Sequence, residues 1–239
     1  MQISVVVPVH NETDNVDSLI AEIDRALRGQ DAYEMIFIDD GSSDDTLAKL
    51  KLAQQRHPSL RVLTHQHSCG QSRAVHSGVN AASYDWVATL DGDGQNDPAD
   101  IPNLINALQQ QNSDRLWMLA GYRHQRHDTG WRRFSSKFAN GIRQAILHDA
   151  TPDSGCGLKL FRRDKFLALP YFDHIHRFLP ALIQMAGGEV ISVKVNHRAR
   201  EHGQSKYGTI DRLLAGIIDL LGVVWLRKRH SVPVINEVK

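Results

Sequence analysis

Residues 91–98 read DGDGQNDP and place two carboxylates, those of Asp91 and Asp93, two positions apart with Gly92 between them. The glycine lets the backbone turn so that both carboxylates can face one point, and Gln95 can add a neutral oxygen. Hard oxygen ligands of this kind suit Mg²⁺ or Mn²⁺. Such an ion would hold a diphosphate whose own oxygens complete the coordination. The alternative interpretation is an acidic loop that only turns the chain.

Two other acidic-loop chemistries fit this segment less well. An EF-hand loop needs glycine at its sixth position and glutamate at its twelfth, and these positions hold Asn96 and Pro102. Calcium binding of that kind is excluded. A phosphatase with an aspartyl nucleophile wants a second acid and a lysine close by, and the sequence around residue 91 contains no lysine.

The end of the first apolar run, Val9 to Glu12, lacks the glycines of dinucleotide-binding and P-loop motifs. A nucleotide would therefore need another binding scheme. Asp39 and Asp40 follow the next apolar run, and carboxylates accept hydrogen bonds from base edges and ribose hydroxyls. Helix capping is the alternative, since residues 42–45 suit a first helical turn. We interpret Asp40 as functional and residues 43–44 as structural.

The elements that would position these side chains alternate between short β-rich runs and helical patterns. Strands are predicted at 3–9, 35–38, 60–63 and 86–90, with helices at 16–27, through Leu47 and Leu50, and around 74–82. This alternation implies right-handed crossovers and a mostly parallel sheet, whose ligands bind beyond the carboxyl ends of the strands. Further strands near 116–120, 158–161 and 190–195 and a helix at about 131–147 complete an α/β, Rossmann-like fold.

Composition limits the classes of function. The 239 residues are 41% hydrophobic and 23% charged, which suits one large core. The net charge of +1 gives no global attraction to nucleic acid, so no nucleic-acid partner is expected and anion binding must come from local clusters. Cys69 and Cys156 cannot form a disulfide framework and favour a reducing compartment. The N-terminal MQISVVVPVHNE predicts a buried strand, not a signal peptide.

Four ordered segments, VVVPVHNE, IDDGSSDDT, GQSRAVHSG and TLDGDGQNDP, resemble the successive signatures of the family 2 inverting glycosyltransferases, which have the GT-A fold. The chain is more closely similar to their dolichol-phosphate mannose synthase and bacterial polyprenyl-phosphate glycosyltransferase branch, over roughly residues 3–207. The resemblance implies a metal-dependent transfer of sugar from a UDP- or GDP-sugar to a polyprenyl phosphate.

The resemblance also implies roles for residues of the donor site. Nucleotide-binding positions would be Pro8, Asn11, Glu12, Asp40, Gly70, Gln71, Asp91 and Gly92, and the metal would be held by Asp91, Asp93 and Gln95. Gly78 matches the helix that lines the same pocket. This branch usually has an asparagine before the glycine at position 70, whereas this chain reads His67-Ser68-Cys69.

The second half matches the branch in three further places. Asp153-Ser154-Gly155 corresponds to a segment beneath the reacting centre. A lid-like element over the donor diphosphate would include Arg200 and Lys206, and the acceptor phosphate would meet Arg123, Arg132 and Ser136. An arginine guanidinium can donate two parallel hydrogen bonds to the oxygens of one phosphate. For each arginine, the alternative is a solvated surface charge. For a saccharide acceptor, Asp153 would be the candidate base.

Three rival interpretations remain open. The thirteen histidines raise a zinc hypothesis, for His65 with His67 and for His174 with His176, but zinc sites usually add cysteine or a third well-spaced histidine. A catalytically silent nucleotide-sugar binding module could dock a partner through its C-terminal helix. A sugar nucleotidyltransferase would need a glycine-rich triphosphate loop near the N-terminus, which this sequence lacks.

Residues 210–226 are apolar except for Asp211, Arg212 and Asp219. A spanning helix requires about twenty apolar residues, so we expect an amphipathic helix in the membrane plane, followed by the basic run 227–229. The alternative is a helix packed on the core or in a homodimer. We thus predict a catalytic domain at 1–209 and an interfacial helix and tail at 210–239, associated peripherally with the cytoplasmic face of the membrane.

Overall fold

A computed structural model describes residues 1–123, 141, 143–147, 149, 151–199 and 209–233 of the chain. Within these residues, seven strands form one sheet. Their bounds are β1 (Gln2–Val9), β2 (Ala32–Asp39), β3 (Leu60–Thr64), β4 (Trp86–Thr89), β5 (Leu116–Arg123), β6 (Lys159–Arg162) and β7 (Glu189–Val195). The order across the sheet is β3-β2-β1-β4-β6-β5-β7.

Helices cover both faces of this sheet. The described ones are α1 (Val16–Leu27), α2 (Thr46–Gln54), α3 (Gln71–Ala81), α4 (Ile101–Gln109), α5 (Arg163–Leu167), α6 (Leu179–Met185) and α7 (Thr209–Arg229). Two short 3₁₀ turns, Pro98–Asp100 and Ile175–Arg177, precede α4 and α6. None of the described helices combines the length and the apolar character that crossing a bilayer requires.

The sheet is mostly parallel, as predicted. β1 pairs in parallel with β2 and β4, β2 with β3, and β5 with β7. β6 is the exception, because it runs antiparallel to both of its neighbours, β4 and β5. The start of β6, rather than its end, therefore lies beside the carboxyl end of β4.

Alternation along the central strands divides the core into two layers. On β1, Val5 and Val7 pack into the layer that also holds Ile20 of α1, whereas Val6 packs into the layer that holds Ala74 of α3. Successive side chains of a strand point to opposite faces, so a strand covered by helices on both faces is apolar throughout. This burial fixes the register of β1 and hence the position of its carboxyl end.

All seven predicted strands are present, each within a few residues of its predicted bounds. Helices α4, α5 and α6 were not predicted, and the latter two have only 5 and 7 residues, too few for a helical period to stand out. Residues 143–147 of the predicted 131–147 helix are helical, and the rest of that segment lies outside the described residues except for residue 141, which is also helical. The division at residues 209 and 210 remains a prediction.

Candidate active site

The carboxyl ends of β2, β1 and β4 meet at one edge of the sheet because these strands are adjacent and parallel. The Asp40 backbone N–H donates to the Val9 carbonyl oxygen at 2.8 Å, which joins the first two strand ends. The Gln71 side-chain amide, at the start of α3, donates to Asp91 Oδ1 at 2.7 Å. The topology therefore gathers the residues predicted for donor binding at one edge.

The acid pair lies directly beyond β4. Burial, and secondly repulsion from Asp93, raise the pKa of Asp91 to about 6, against the opposing charges of Lys159 and Arg123. Asp93 Oδ1 accepts the Gln95 backbone N–H at 3.1 Å, which closes a tight turn. The Asp91 carboxylate beside that of Asp93 forms a centre of negative charge that a divalent cation would relieve.

Gly157 makes room for the Asp91 carboxylate. A Cβ at position 157 would lie 2.3 Å from Asp91 Oδ2 and 2.5 Å from Asn96 Oδ1. The Gly157 carbonyl oxygen accepts the Thr89 hydroxyl at 2.8 Å, which fixes this backbone beside β4. Our sequence-based predictions omitted Gly157, although two glycines flank Cys156 just before a predicted strand.

Gly92 and Pro8 meet where β4 and β1 end. A Cβ on Gly92 would lie 2.8 Å from the Pro8 carbonyl oxygen and 2.6 Å from Val9 Cγ1, so a larger residue would push the acid loop off the strand. This backbone packing is what the structure shows for both residues. Their predicted contact with a nucleotide stays a prediction.

Asn11 and Glu12 hold the chain that leaves β1. Asn11 has a φ of 55°, a left-handed value, and its Oδ1 accepts the Ser43 N–H at 2.7 Å. The Glu12 carboxylate accepts the Asn15 side-chain amide at 2.7 Å. Both residues lie at the functional edge of the sheet, and both help to shape its loops.

Asp40 holds the loop between β3 and α3. Its carboxylate accepts hydrogen bonds from His65 Nδ1 at 2.6 Å, Ser68 Oγ at 2.8 Å, and the N–H groups of Cys69 and Gly70 at 2.9 and 2.8 Å. Burial alone would raise the pKa of Asp40, but these hydrogen bonds outweigh it and lower the pKa. Both carboxylate oxygens are thus engaged by the loop that the resemblance places around the nucleotide.

Ligand atoms of Asp40, His65 and Cys69 lie within 4.8 Å of one another, a spacing that a metal ion could span. The direct hydrogen bond between His65 and Asp40 accounts for their approach, and His65 Nε2 lies 2.9 Å from the Ser77 hydroxyl. These contacts describe a hydrogen-bonded cluster, and Cys69 supplies the cysteine that the sequence-based zinc hypothesis for His65 and His67 lacked. That hypothesis stays untested.

Arg123 and Asp153 form a forked ion pair. Arg123 Nε donates to Asp153 Oδ2 at 2.6 Å, and Nη2 donates to Oδ1 at 2.9 Å. Burial disfavours the charged guanidinium, but the hydrogen bonds and charge of Asp153 outweigh it and raise the pKa of Arg123. The sequence alone predicts separate roles for the two residues, phosphate binding and proton transfer, and does not predict that they pair.

Lys159, at the start of β6, lies buried beneath the acid pair. Its ammonium donates to the Cys156 carbonyl oxygen. Burial lowers the pKa of Lys159, and electrostatic interactions with Cys156, Asp91 and Asp153 oppose that shift. The sequence around residue 91 contains no lysine, but the fold brings one near. The expectation that no lysine lies near the acid pair is therefore wrong in three dimensions.

The acid loop also anchors the chain that leads to the predicted lid. The Arg198 N–H donates to the Gln95 carbonyl oxygen at 2.9 Å. The Arg198 guanidinium donates to Glu22 at 2.6 Å and to Asp97 at 2.7 Å. The predicted residues Arg132, Ser136, Arg200 and Lys206 lie outside the described part of the chain.

Residues 4–169 match glycosyl transferase family 2. The chain belongs to this family. It is 34% identical over 238 residues to a dodecaprenyl-phosphate galacturonate synthase of Rhizobium johnstonii, covering 98% of this chain and 69% of that protein. It is equally identical over 239 residues to an undecaprenyl-phosphate 4-deoxy-4-formamido-L-arabinose transferase of Edwardsiella ictaluri, covering 99% of this chain and 72% of that protein.

Solved structures show the same fold at lower identity. A glucosyl-3-phosphoglycerate synthase from Mycobacterium tuberculosis, in complex with Mn²⁺, UDP and glucosyl-3-phosphoglycerate, matches with a TM-score of 0.70 and 19% identity, over 95% of this chain and 79% of that one. Its complex with Mg²⁺ and UDP gives a TM-score of 0.67 over the same shares at 19% identity. The predicted GT-A fold is confirmed. As a family 2 glycosyltransferase, the chain is an enzyme of sugar transfer, which decides against the phosphatase alternative.

Proposed function

We propose that this glycosyltransferase transfers a sugar, with inversion, from a UDP- or GDP-sugar to a polyprenyl phosphate. The observation that carries the donor half is the half-buried acid pair, Asp91 and Asp93, whose charges fit a divalent cation and a diphosphate. The acceptor half is supported by the two polyprenyl-phosphate transferases that match nearly the whole chain.

The residues at the edge of the sheet fit a metal ion. The donor set is made of oxygens, and burial together with the charge of Asp93 raises the pKa of Asp91 despite the nearby Lys159 and Arg123. Asp91, Asp93 and Gln95 would hold Mg²⁺ or Mn²⁺, which when bound supplies Lewis-acid stabilisation of the leaving diphosphate. The chain itself orients the ligands, because Gln71 fixes one oxygen of Asp91.

The acceptor phosphate is anionic near neutral pH, so it needs positioning more than a general base. Its oxygen bonds to the anomeric carbon as the bond to the diphosphate breaks on the opposite face. In this proposal Arg123, Arg132 and Ser136 position the acceptor phosphate, and Arg200 and Lys206 cover the diphosphate. A saccharide acceptor would need Asp153 as the base, and both oxygens of that carboxylate already accept from Arg123.

Asp40 takes an indirect part in nucleotide binding. Its carboxylate holds His65, Ser68, Cys69 and Gly70 in one loop. We assign to that loop the contacts with the base and ribose, bordered by Pro8, Asn11 and Glu12. The loop is then the place where donor selectivity between UDP and GDP is set.

Helix α7 is the proposed membrane-binding element. Its buried Val223 packs on the core, and the Arg227 guanidinium donates to the Leu147 carbonyl oxygen at 2.7 Å. Other apolar side chains of the helix are exposed, namely Ile217, Ile218, Leu221 and Trp225. The basic run 227–229 follows them, and positive charge beside exposed apolar surface favours an anionic bilayer over a second copy of the chain. We therefore assign 1–209 to catalysis and 210–239 to the cytoplasmic membrane surface.

The test is sugar transfer by the purified chain. Labelled UDP- and GDP-sugars are supplied with Mn²⁺ or Mg²⁺ and either a short polyprenyl phosphate or saccharides. We expect metal-dependent transfer to the polyprenyl phosphate, lost with EDTA and in the Asp91→Asn, Asp93→Asn double variant. Transfer to saccharides alone would reject the lipid acceptor, and nucleotide-sugar binding without any transfer would favour a binding module.

A further inference from the structure

The N-cap residue of α3 and the first two residues of the helix contact three different parts of the molecule. The Gly70 N–H donates to Asp40, and the Gln71 side chain donates to Asp91. The Ser72 hydroxyl lies 2.7 Å from His176 Nδ1, although the two residues are 104 positions apart. The first two contacts serve the proposed donor site. The third leads away from it, to the turn before α6.

That turn is held firmly in the core. Ile175 and Phe178 are 2% and 5% exposed, and Ser72 is 4% exposed. Burial, then the charges of Lys159, Arg177 and His174, hold the pKa of His176 well below its usual value, so the imidazole is neutral. A neutral imidazole is a suitable partner for the buried Ser72 hydroxyl. The turn and α3 are thus joined inside the protein.

The same turn contacts helix α7. His174, two residues before His176, places Nδ1 2.8 Å from Asp219 Oδ2 on α7. His174 has a φ of 65°, a left-handed conformation that residues other than glycine seldom adopt. Such a conformation persists only where surrounding contacts hold it, and the Asp219 carboxylate is one of those contacts.

We propose that Asp219 is a positioning residue for donor binding. It acts through the 3₁₀ turn Ile175–Arg177. Asp219 contacts His174 just before this turn, and His176 within the turn contacts Ser72. Ser72 follows Gln71, whose side chain donates to Asp91. This inference rests on the proposed function, since the affected ligand is a nucleoside diphosphate with its cation. If α7 shifts, His174 loses its contact with Asp219. The contact between His176 and Ser72 then restrains the first turn of α3 less strongly.

A double-mutant cycle on the full chain tests this proposal. The variants are Asp219→Ala, Ser72→Ala and their combination, and the probe is UDP with Mn²⁺, followed by isothermal titration calorimetry. We expect Asp219→Ala to weaken binding about threefold or more, and Ser72→Ala to add little once Asp219 is gone. Asp17→Ala on α1 is the matched control, because it removes an exposed carboxylate that pairs with Arg56, and α1 packs in the core layer opposite that of α3.

A merely structural contact would lower the melting temperature and leave the Kd for UDP with Mn²⁺ unchanged, and that result would overturn the proposal. Independent, additive effects of the two substitutions would overturn it as well. Hydrogen exchange of the amides of residues 70–78, without ligand, gives a second measurement. We expect faster exchange in Asp219→Ala than in Asp17→Ala, and equal rates would contradict the inference even if the unaltered chain bound no nucleotide.

Discussion

Gly157 faces Asp91 so closely that a Cβ at position 157 would lie 2.3 Å from the Asp91 Oδ2 atom. The acid pair follows β4, but the space for one of its carboxylates is made by backbone 66 positions later in the chain. The shape of the proposed metal site therefore depends on both halves of the protein.

Gly157→Ala should disable that site. The added methyl group must displace Asp91 or Asn96, so we expect Mn²⁺ affinity to fall about tenfold or more and sugar transfer about a hundredfold. Calorimetric titration of Mn²⁺ and the transfer assay measure the two effects. Gly222→Ala on α7 is the control, because nothing lies within 4 Å of a Cβ at that position. Unchanged metal affinity in Gly157→Ala would remove Asp91 from the proposed ligands.

The raised pKa of Asp91 predicts a pH-dependent stability. Folding raises this pKa from 3.8 to about 6, so the ionised carboxylate opposes folding above pH 6. The penalty shrinks as pH falls through 6 and vanishes below the unfolded value. A pKa shift of this size corresponds to about 3 kcal/mol in the free energy of unfolding when the carboxylate is ionised in both states. Asp91→Asn should therefore stabilise the metal-free protein by about 2–3 kcal/mol at pH 7.5 and by much less at pH 4.5.

Urea unfolding in EDTA at the two pH values measures this difference in the free energy of unfolding. The exposed Asp14→Asn serves as the control and should show little effect at either pH. A stabilisation by Asp91→Asn that is equal at both pH values would contradict the assignment.

Arg123→Met should leave the buried Asp153 carboxylate without its forked partner. The two side chains are 15% and 9% exposed, so we expect a loss of about 3–5 kcal/mol in the free energy of unfolding. Transfer to polyprenyl phosphate should fall by at least about a hundredfold. The control is Arg162→Met, which breaks an exposed pair with Asp164 and should cost under about 1 kcal/mol. Equal losses of unfolding free energy in the two variants would contradict a larger stabilising contribution from the pair of Arg123 with Asp153.

Substitutions on the exposed side of α7 test the membrane assignment. Ile218 and Leu221 are 69% and 65% exposed, and changing both to Glu should reduce binding to vesicles of phosphatidylcholine and phosphatidylglycerol about tenfold or more. Leu52→Glu on α2, where the side chain is 58% exposed, is the matched control and should bind normally. Loss of a dimer in sedimentation, with vesicle binding retained, would instead favour a second copy of the chain.

The donor edge could be predicted from sequence because its residues directly follow strands. Buried β-rich runs indicate β1, β2 and β4, and the rule for parallel sheets predicts that Asp40 and Asp91 lie at one edge. The packing of Gly157 and the buried position of Lys159 could not be found this way. Both depend on β6 being antiparallel, and the direction of a four-residue strand is not encoded in its own periodicity.

Contacts between distant residues were also beyond prediction. Arg123 and Asp153 were each identified, but their pairing requires the spatial neighbourhood of β5 and β6. The sequence indicates a functional role for Asp40 from its residue type and position. That its carboxylate holds the loop of residues 65–70 is visible only in the three-dimensional structure, where the N–H groups of Cys69 and Gly70 donate to it. In each case the residue type predicts a charged side chain, but the hydrogen-bonding partner of that side chain depends on the tertiary structure.

The reversed direction of β6 brings the two halves of the chain to one edge of the sheet. Strands β1, β2 and β4 end at that edge, and all three precede residue 100. Strand β5, which is antiparallel to β6, ends there as well, and β6 begins there with Lys159. The proposed acceptor residues Arg132 and Ser136 belong to the connection between β5 and β6. Donor and acceptor selectivity would therefore be encoded in different segments of the chain that share one rim of the sheet.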